Sequence, residues 1–233
     1  MESDKIDWDK IIEWDKKYYL FPHRSLDEWE PFPVKKVERV YLIDNKGRKF
    51  LDMSAGYISV NYGNRPQQVT EAIKKALDNF GYVTEYYTTP PRAEAAKLII
   101  EDLLGADGWA GKVHFMSSGS EAVEEAILVA RLYRGASIIV SRQWDYHGWT
   151  QGSGACTGYR GQRNVLSSLT GEVRELVRPE GYYLAPMPYC YRCPLGCDYS
   201  DCKKSSRLPC VKVLESMIRS LGTKNVAAVI TTI

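Results

Sequence analysis

Two short stretches of the chain carry the residue types that chemistry requires. The first is Ser117-Ser118-Gly119-Ser120, followed at once by Glu121. Ser118 and Glu121 fit the S-x-x-E capping box that fixes a helix start, and Gly119 removes the side chain that would keep another group from the backbone. Free N–H groups at such a start, hydroxyls beside them and the positive end of the helix dipole together suit a phosphate, the dipole alone contributing roughly 0.3–1 kcal/mol. The second stretch is Tyr146-His147-Gly148. Tyr146 offers a flat face for stacking on an aromatic ring, His147 is the histidine beside this crevice, and Gly148 keeps the backbone unobstructed. A phosphate turn with a ring platform points to a phosphorylated aromatic cofactor. The plainer alternatives are an ordinary capped helix and a surface loop.

Two nucleotide-binding patterns can be set against these letters. A P-loop needs G-x-x-x-x-G-K-[ST], and the Ser117–Ser120 turn has neither the length nor the lysine. A dinucleotide site needs G-x-G-x-x-G and an acidic residue closing the second strand, whereas this turn holds one glycine and that strand runs into Ser141-Arg142. The run "GSGACTG", Gly152 to Gly158, has the wrong spacing and reads as a flexible segment.

The elements that must position both stretches follow from periodicity. Val113–Met116 reads as a buried strand, and Val123, Ala126, Ile127 and Ala130 recur at helical spacing after Glu121. Ser137–Ser141 completes a strand, helix, strand unit, and the "VAAVI" run at 226–230 follows a helix marked by Val211, Leu214, Ile218 and Leu221. This predicts an α/β fold with a parallel sheet, whose ligands sit at the carboxyl ends of the strands, where both stretches fall. Upstream, residues 6–20 suggest an amphipathic helix, and Val37–Ile43 and Lys49–Met53 a hairpin around Asp44–Gly47. Val69, Ile73, Leu77 and Phe80 mark one helix, and Arg92 to Leu104 another, with Pro90 and Pro91 at its start. The organisation expected is an N-terminal helix and hairpin segment over 1–63 and an α/β cofactor-binding region over 64–233. A Gly- and Cys-rich excursion occupies about 148–210.

Composition narrows the partners. With 233 residues and 44% hydrophobic content the chain can bury a large core. Its 31 basic and 29 acidic residues give a net charge of +2, no electrostatic footprint for nucleic acid or an anionic membrane. The basic patch Tyr159–Arg163 reads as a solvated loop. No apolar run approaches a membrane span and the acidic N-terminus is no targeting peptide, so the cytoplasm is the expected location. All six cysteines fall between Cys156 and Cys210, unlike the distributed staples of a secreted domain. Cys190, Cys193, Cys197, Cys202 and Cys210 could converge on zinc or an iron–sulfur cluster, or could be free thiols of a turn-rich insertion. No clean second C-x-x-C exists, and no metal is assigned to Cys190, Cys193, Cys202 and Cys210.

The set "LDMSAGYISVNYGNRP", "MSSGSEAVEEAILVARLYRG", "YHG" and "VAAVI", in this order, resembles the class III (ω-amino acid) aminotransferases. The resemblance implies the pyridoxal-phosphate-dependent fold type I, incomplete here, with an N-terminal segment and the first half of the large parallel-sheet domain. It implies pyridoxal 5'-phosphate as cofactor, with Ser118, Gly119 and Ser120 on its phosphate, Tyr146 on its ring and His147 beside it. It also implies transfer of an amino group between a 4-aminobutyrate-like amino acid and a 2-oxo acid, and a homodimer with the active site at the interface. In that family the lysine that anchors the cofactor and the carboxylate on its pyridine nitrogen lie beyond the "AAVI" strand, after which three residues remain here. Lys203, Lys204, Lys212 and Lys224 read as solvated substitutes at best. The expectation is an N-terminal portion, truncated or split and inactive without a C-terminal half. The alternative is a non-catalytic module that binds phosphate ligands or a partner subunit.

Overall fold

The computed structural model describes residues 6–21, 29–159, 178–204 and 208–232. They divide into two compact units, one ending at His114 and the other running on from Phe115.

In the first unit, helix α1 (Trp8–Tyr18) starts where the Asp7 carboxylate accepts the Lys10 amide at 3.1 Å. Strands β1 (Val34–Glu38), β2 (Tyr41–Asp44) and β3 (Lys49–Leu51) form an antiparallel sheet in that order. The single strand expected over 37–43 is therefore two. Arg39 takes φ 51, left-handed backbone that no strand tolerates, and Glu38 pairs with Tyr41 across the resulting turn. Asp44 organises the next turn by accepting from the amides of Lys46 and Arg48 at 3.0 and 2.8 Å and from Arg48 Nε at 2.7 Å. It is the one buried residue of this unit among those described. After a single turn, α2 (Ala55–Ile58), come α3 (Gln67–Phe80) and α4 (Pro90–Lys97), the latter continuing as a wider π-helical turn over Leu98–Leu103. Pro90 and Pro91 occupy the first turn of α4, where a missing N–H costs nothing.

The second unit is a small α/β assembly. Its elements are α5 (Gly119–Arg134), β4 (Ile138–Arg142), α6 (Gln151–Cys156), β5 (Tyr182–Ala185), α7 (Tyr199–Lys204), α8 (Pro209–Leu221) and β6 (Val226–Val229). Three parallel strands run in the order β5-β4-β6, so β4 is central and its side chains alternate between two covered faces. Ile139 packs with Ile127 of α5 and Cys156 of α6, while Val140 packs with Ala185, Val226 and the α8 residues Leu214 and Ile218. Ile139 and Val140 are each essentially fully buried, and each contributes about 1.5–3 kcal/mol by the usual transfer estimate. This layer fixes the carboxyl end of β4, from which the candidate site is built.

One expectation fails here. Val113–Met116 forms no strand, because no described residue pairs with it and a strand exists only through its ladder. The 148–210 excursion carries elements of its own, its described part contributing α6, α7 and the edge strand β5.

Candidate active site

Helix α5 begins as its sequence requires. Ser118 has extended backbone, φ −150 and ψ 159, and its hydroxyl accepts the Glu121 amide at 3.2 Å. Only this half of the capping box forms among the described residues. The first helical bond runs from the Ala122 amide to the Ser118 carbonyl at 3.0 Å. That leaves the amides of Gly119 and Ser120 without a partner among the described residues, pointing out of the positive end of a 16-residue helix. The space beside Gly119 is open, since an added Cβ would meet nothing within 4 Å. An anion can therefore approach both amides.

The chain leaving β4 is folded back onto this helix start. His147 donates its amide to the Thr157 hydroxyl at 3.0 Å, and Trp149 donates its amide to Ser120 Oγ at 3.4 Å. Gly148 lies between hydroxyls at φ 129, where a Cβ would fall 2.6 Å from Ser120 Oγ and collide with Ser153 Oγ. The two stretches singled out in the sequence, 29 residues apart, thus meet through Ser120 and Trp149. Tyr146 remains 47% exposed and able to take a ring against it.

His147 is buried, and its Nε2 has no hydrogen-bond partner among the described residues while lying 3.8 Å from Asp145 Oδ2. Burial pushes the imidazole pKa down and Arg142 adds to this, more than the attraction of Asp145 restores. The ring is neutral at pH 7. Asp145 is itself buried and accepts from Arg142 Nε at 2.9 Å and from the amide and hydroxyl of Thr232 at 3.1 and 2.8 Å. Burial works against its charge, but the donors from Arg142 and Thr232 outweigh it and hold the carboxyl below its ordinary value. Asp145 and Thr232 were not among the residues expected from sequence. The available signal was an acidic residue set between two aromatics directly after a buried strand.

Glu124 was also missed. Its Oε1 accepts from the amides of Gly152 and Ser153 at 2.7 and 3.0 Å and from the Thr150 hydroxyl. These donors hold the carboxyl low although burial opposes its charge. The helix it anchors, α6, corrects the reading of Gly152–Gly158 as flexible: Gly152, Ser153, Ala155, Cys156 and Thr157 are all buried. Their small side chains let α6 settle between α5 and β4, and the Ser141 hydroxyl donates to the Cys156 carbonyl. The sequence signal was Thr150-x-x-Ser153, a capping box of which both halves form. Cys156 is pushed up to about 11, by burial first and then by Glu124, and stays a protonated, unreactive thiol.

The remaining sequence candidates stand apart. Cys190 is exposed and Cys193, Cys202 and Cys210 are half-buried free thiols; among the described residues no group of three or more ligating side chains is arranged to hold a metal ion. Lys204, Lys212 and Lys224 are exposed, the last at the amino end of β6, opposite the site. The side chain of Lys203 and residues 160–163 of the basic patch lie outside the described residues. Two unpaired amides at a helix start, an exposed tyrosine ring and a buried imidazole with a free nitrogen are a donor set that fits a phosphorylated aromatic cofactor.

The aminotransferase class-III family profile matches residues 25–232. The chain is 29% identical over 224 residues to adenosylmethionine-8-amino-7-oxononanoate aminotransferase of Geobacter sulfurreducens, covering 92% of this chain and 46% of that one. It is 30% identical over 177 residues to acetylornithine aminotransferase of Archaeoglobus fulgidus, covering 75% and 44%. Among solved structures, an S-selective transaminase from Arthrobacter with alanine bound superposes with a TM-score of 0.85 at 37% identity over 97% of this chain and 49% of its own. The chain spans about half the length of each of these relatives.

Proposed function

As a member of the class III aminotransferases, a family of pyridoxal-phosphate-dependent fold type I, this chain, we propose, supplies the phosphate-binding half of an enzyme that moves an amino group between an amino acid and a 2-oxo acid. The observation that carries the reading is the pair of free amides at the start of α5, packed against the loop that bears Tyr146 and His147. When bound, pyridoxal phosphate supplies an aldehyde and an electron-withdrawing pyridine ring for the exchange.

The residues of this chain have distinct tasks in that reading. Gly119 and Ser120 bind the phosphate through their amides, and the Ser118 hydroxyl, which accepts from Glu121, keeps its own proton to donate. Tyr146 stacks on the ring. His147, buried and neutral, offers Nε2 to a polar partner that arrives with the cofactor or with further protein. Gly148 lets the loop close on Ser120 without a side chain between them. The anchoring lysine and the carboxylate for the pyridine nitrogen come, in this reading, from protein outside the 233 residues, since Lys204, Lys212 and Lys224 are solvated. The donor is a 4-aminobutyrate-like ω-amino acid, a reading supported by the match to an acetylornithine aminotransferase. The assembled enzyme works as a homodimer in the cytoplasm.

Pyridoxal phosphate binding to this chain, followed by fluorescence against phosphate-free pyridoxal, tests the reading. Binding that requires the phosphate and disappears in Gly119→Leu, with the circular dichroism unchanged, supports it. Equal affinity for pyridoxal, or an unaffected Gly119→Leu variant, removes this site.

A further inference from the structure

Ser120 and Glu124 stand one turn apart on α5, and both reach the same turn of the chain that leaves β4. Their holds differ in strength. Ser120 Oγ takes the Trp149 amide at 3.4 Å, longer than the usual range of such a bond, whereas Glu124 Oε1 takes the Gly152 and Ser153 amides at 2.7 and 3.0 Å and the Thr150 hydroxyl. Because Thr150 Oγ1 gives its one proton to Glu124, the 2.7 Å contact between Thr150 Oγ1 and Ser153 Oγ has Ser153 as its donor. The carboxylate thereby orders the donors at the start of α6. Gly148 lies between Ser153 Oγ and Ser120 Oγ with no room for a side chain, so a shift of Ser153 is passed on to Ser120. The ring platform is held elsewhere. Tyr146 lies between Asp145, tied to Arg142 and Thr232, and His147, whose amide is held by the Thr157 hydroxyl at 3.0 Å. The far end of α6, next to Thr157, has its own anchors: the Ser141 hydroxyl donates to the Cys156 carbonyl, and Arg178 Nε donates to the Ala155 carbonyl at 2.8 Å.

On the cofactor reading given above, we propose that Glu124 is a positioning residue for the phosphate: it clamps the 148–153 turn onto α5, so that the Trp149 amide occupies one lone pair of Ser120 Oγ and the hydroxyl proton is left for the phosphate. The long Trp149 bond cannot hold the turn by itself, and the three shorter bonds to Glu124, one turn further along the same helix face, do so. Losing the carboxylate frees the start of α6, and with it the orientation of the Ser120 hydroxyl. The bonds of Glu124 go to Thr150, Gly152 and Ser153, past the stretch that carries Tyr146, so the grip on the phosphate weakens while the ring platform stays in place.

Fluorescence titration of the whole chain with pyridoxal phosphate and with pyridoxal gives the ratio of the two affinities, which measures what the phosphate adds. Glu124→Ala should lower that ratio several-fold and leave the affinity for pyridoxal close to that of the parent. Glu124→Gln, which keeps an oxygen for the same donors, should restore the ratio. Val140→Ala opens a cavity on the opposite face of β4 and lowers stability without touching the clamp, so its ratio should equal the parent's. In a Ser120→Ala background, where the hydroxyl is gone, Glu124→Ala should change the ratio little, because the two residues act in one chain. A ratio that is unchanged in Glu124→Ala, falls equally in Val140→Ala, fails to recover in Glu124→Gln, or falls as far without the Ser120 hydroxyl overturns the clamp. A parent chain that binds both compounds equally removes the cofactor site itself, and the clamp with it.

Discussion

The Glu124 carboxylate oxygen and the Gly152 amide lie 2.7 Å apart, joining α5 to the start of α6 across 28 residues of sequence. That one oxygen also takes the Ser153 amide and the Thr150 hydroxyl. Truncation in Glu124→Ala strands three donors in a half-buried place and should lower unfolding free energy by about 1–3 kcal/mol. Glu124→Gln keeps an acceptor oxygen at the same reach and should recover most of the loss. Urea denaturation decides it, and a Glu124→Ala midpoint equal to that of the parent would remove Glu124 as the tie.

Gly148→Ala should damage the site more than its single methyl suggests. The added carbon would sit 2.6 Å from Ser120 Oγ and collide with Ser153 Oγ, at a φ of 129 that alanine avoids. Relief requires the loop to withdraw from α5. Lower stability together with weaker pyridoxal phosphate binding is expected, measured by urea midpoint and fluorescence titration. Gly119→Ala is the control, because its Cβ meets nothing and the fold should be unchanged.

The sequence made the helix start at Ser118 legible because a cap is local: four residues, Ser118 to Glu121, and one hydrogen bond define it. The same holds for Pro90 and Pro91 at the start of α4. Strand Val226–Val229 was legible because a buried run carries its own hydrophobic signature. Val113–Met116 carries that signature too and forms no strand, since pairing is a property of two segments. Glu124, Asp145 and α6 were missed for a related reason. Their roles depend on donors that lie 28 or 87 residues away, such as Gly152 and Thr232, and spacing along the chain does not announce them.

Stability should fall with acidification in two stages. His147 has a depressed pKa in the folded state, so below its ordinary 6.5 the unfolded chain binds the proton first and stability declines as pH drops from there through the folded value. Asp145 and Glu124 are held below their ordinary 3.8 and 4.5, so the stability they provide is present above those values and lost as pH falls through the folded ones. Urea midpoints taken from pH 8 downward should show the first loss beginning near 6.5. His147→Gln should erase that stage and leave the acidic one, while an unchanged profile would place the early titration elsewhere.

The amphipathic stripe of α3 makes the last prediction. Val69, Ile73, Leu77 and Phe80 share one face of the helix and are 49%, 55%, 62% and 38% exposed, so the pattern that ordinarily marks a core face covers no core here. Contiguous apolar surface of this kind drives association unless something covers it. The isolated chain should therefore self-associate as concentration rises, read as a growing mass in light scattering. Placing charges at the centre of the stripe, in Ile73→Glu with Leu77→Lys, keeps good helix formers and removes the apolar contact. That double variant should shift the onset to several-fold higher concentration without loss of helix signal. If it associates as readily as the parent, the contact lies elsewhere and the stripe is a passive surface.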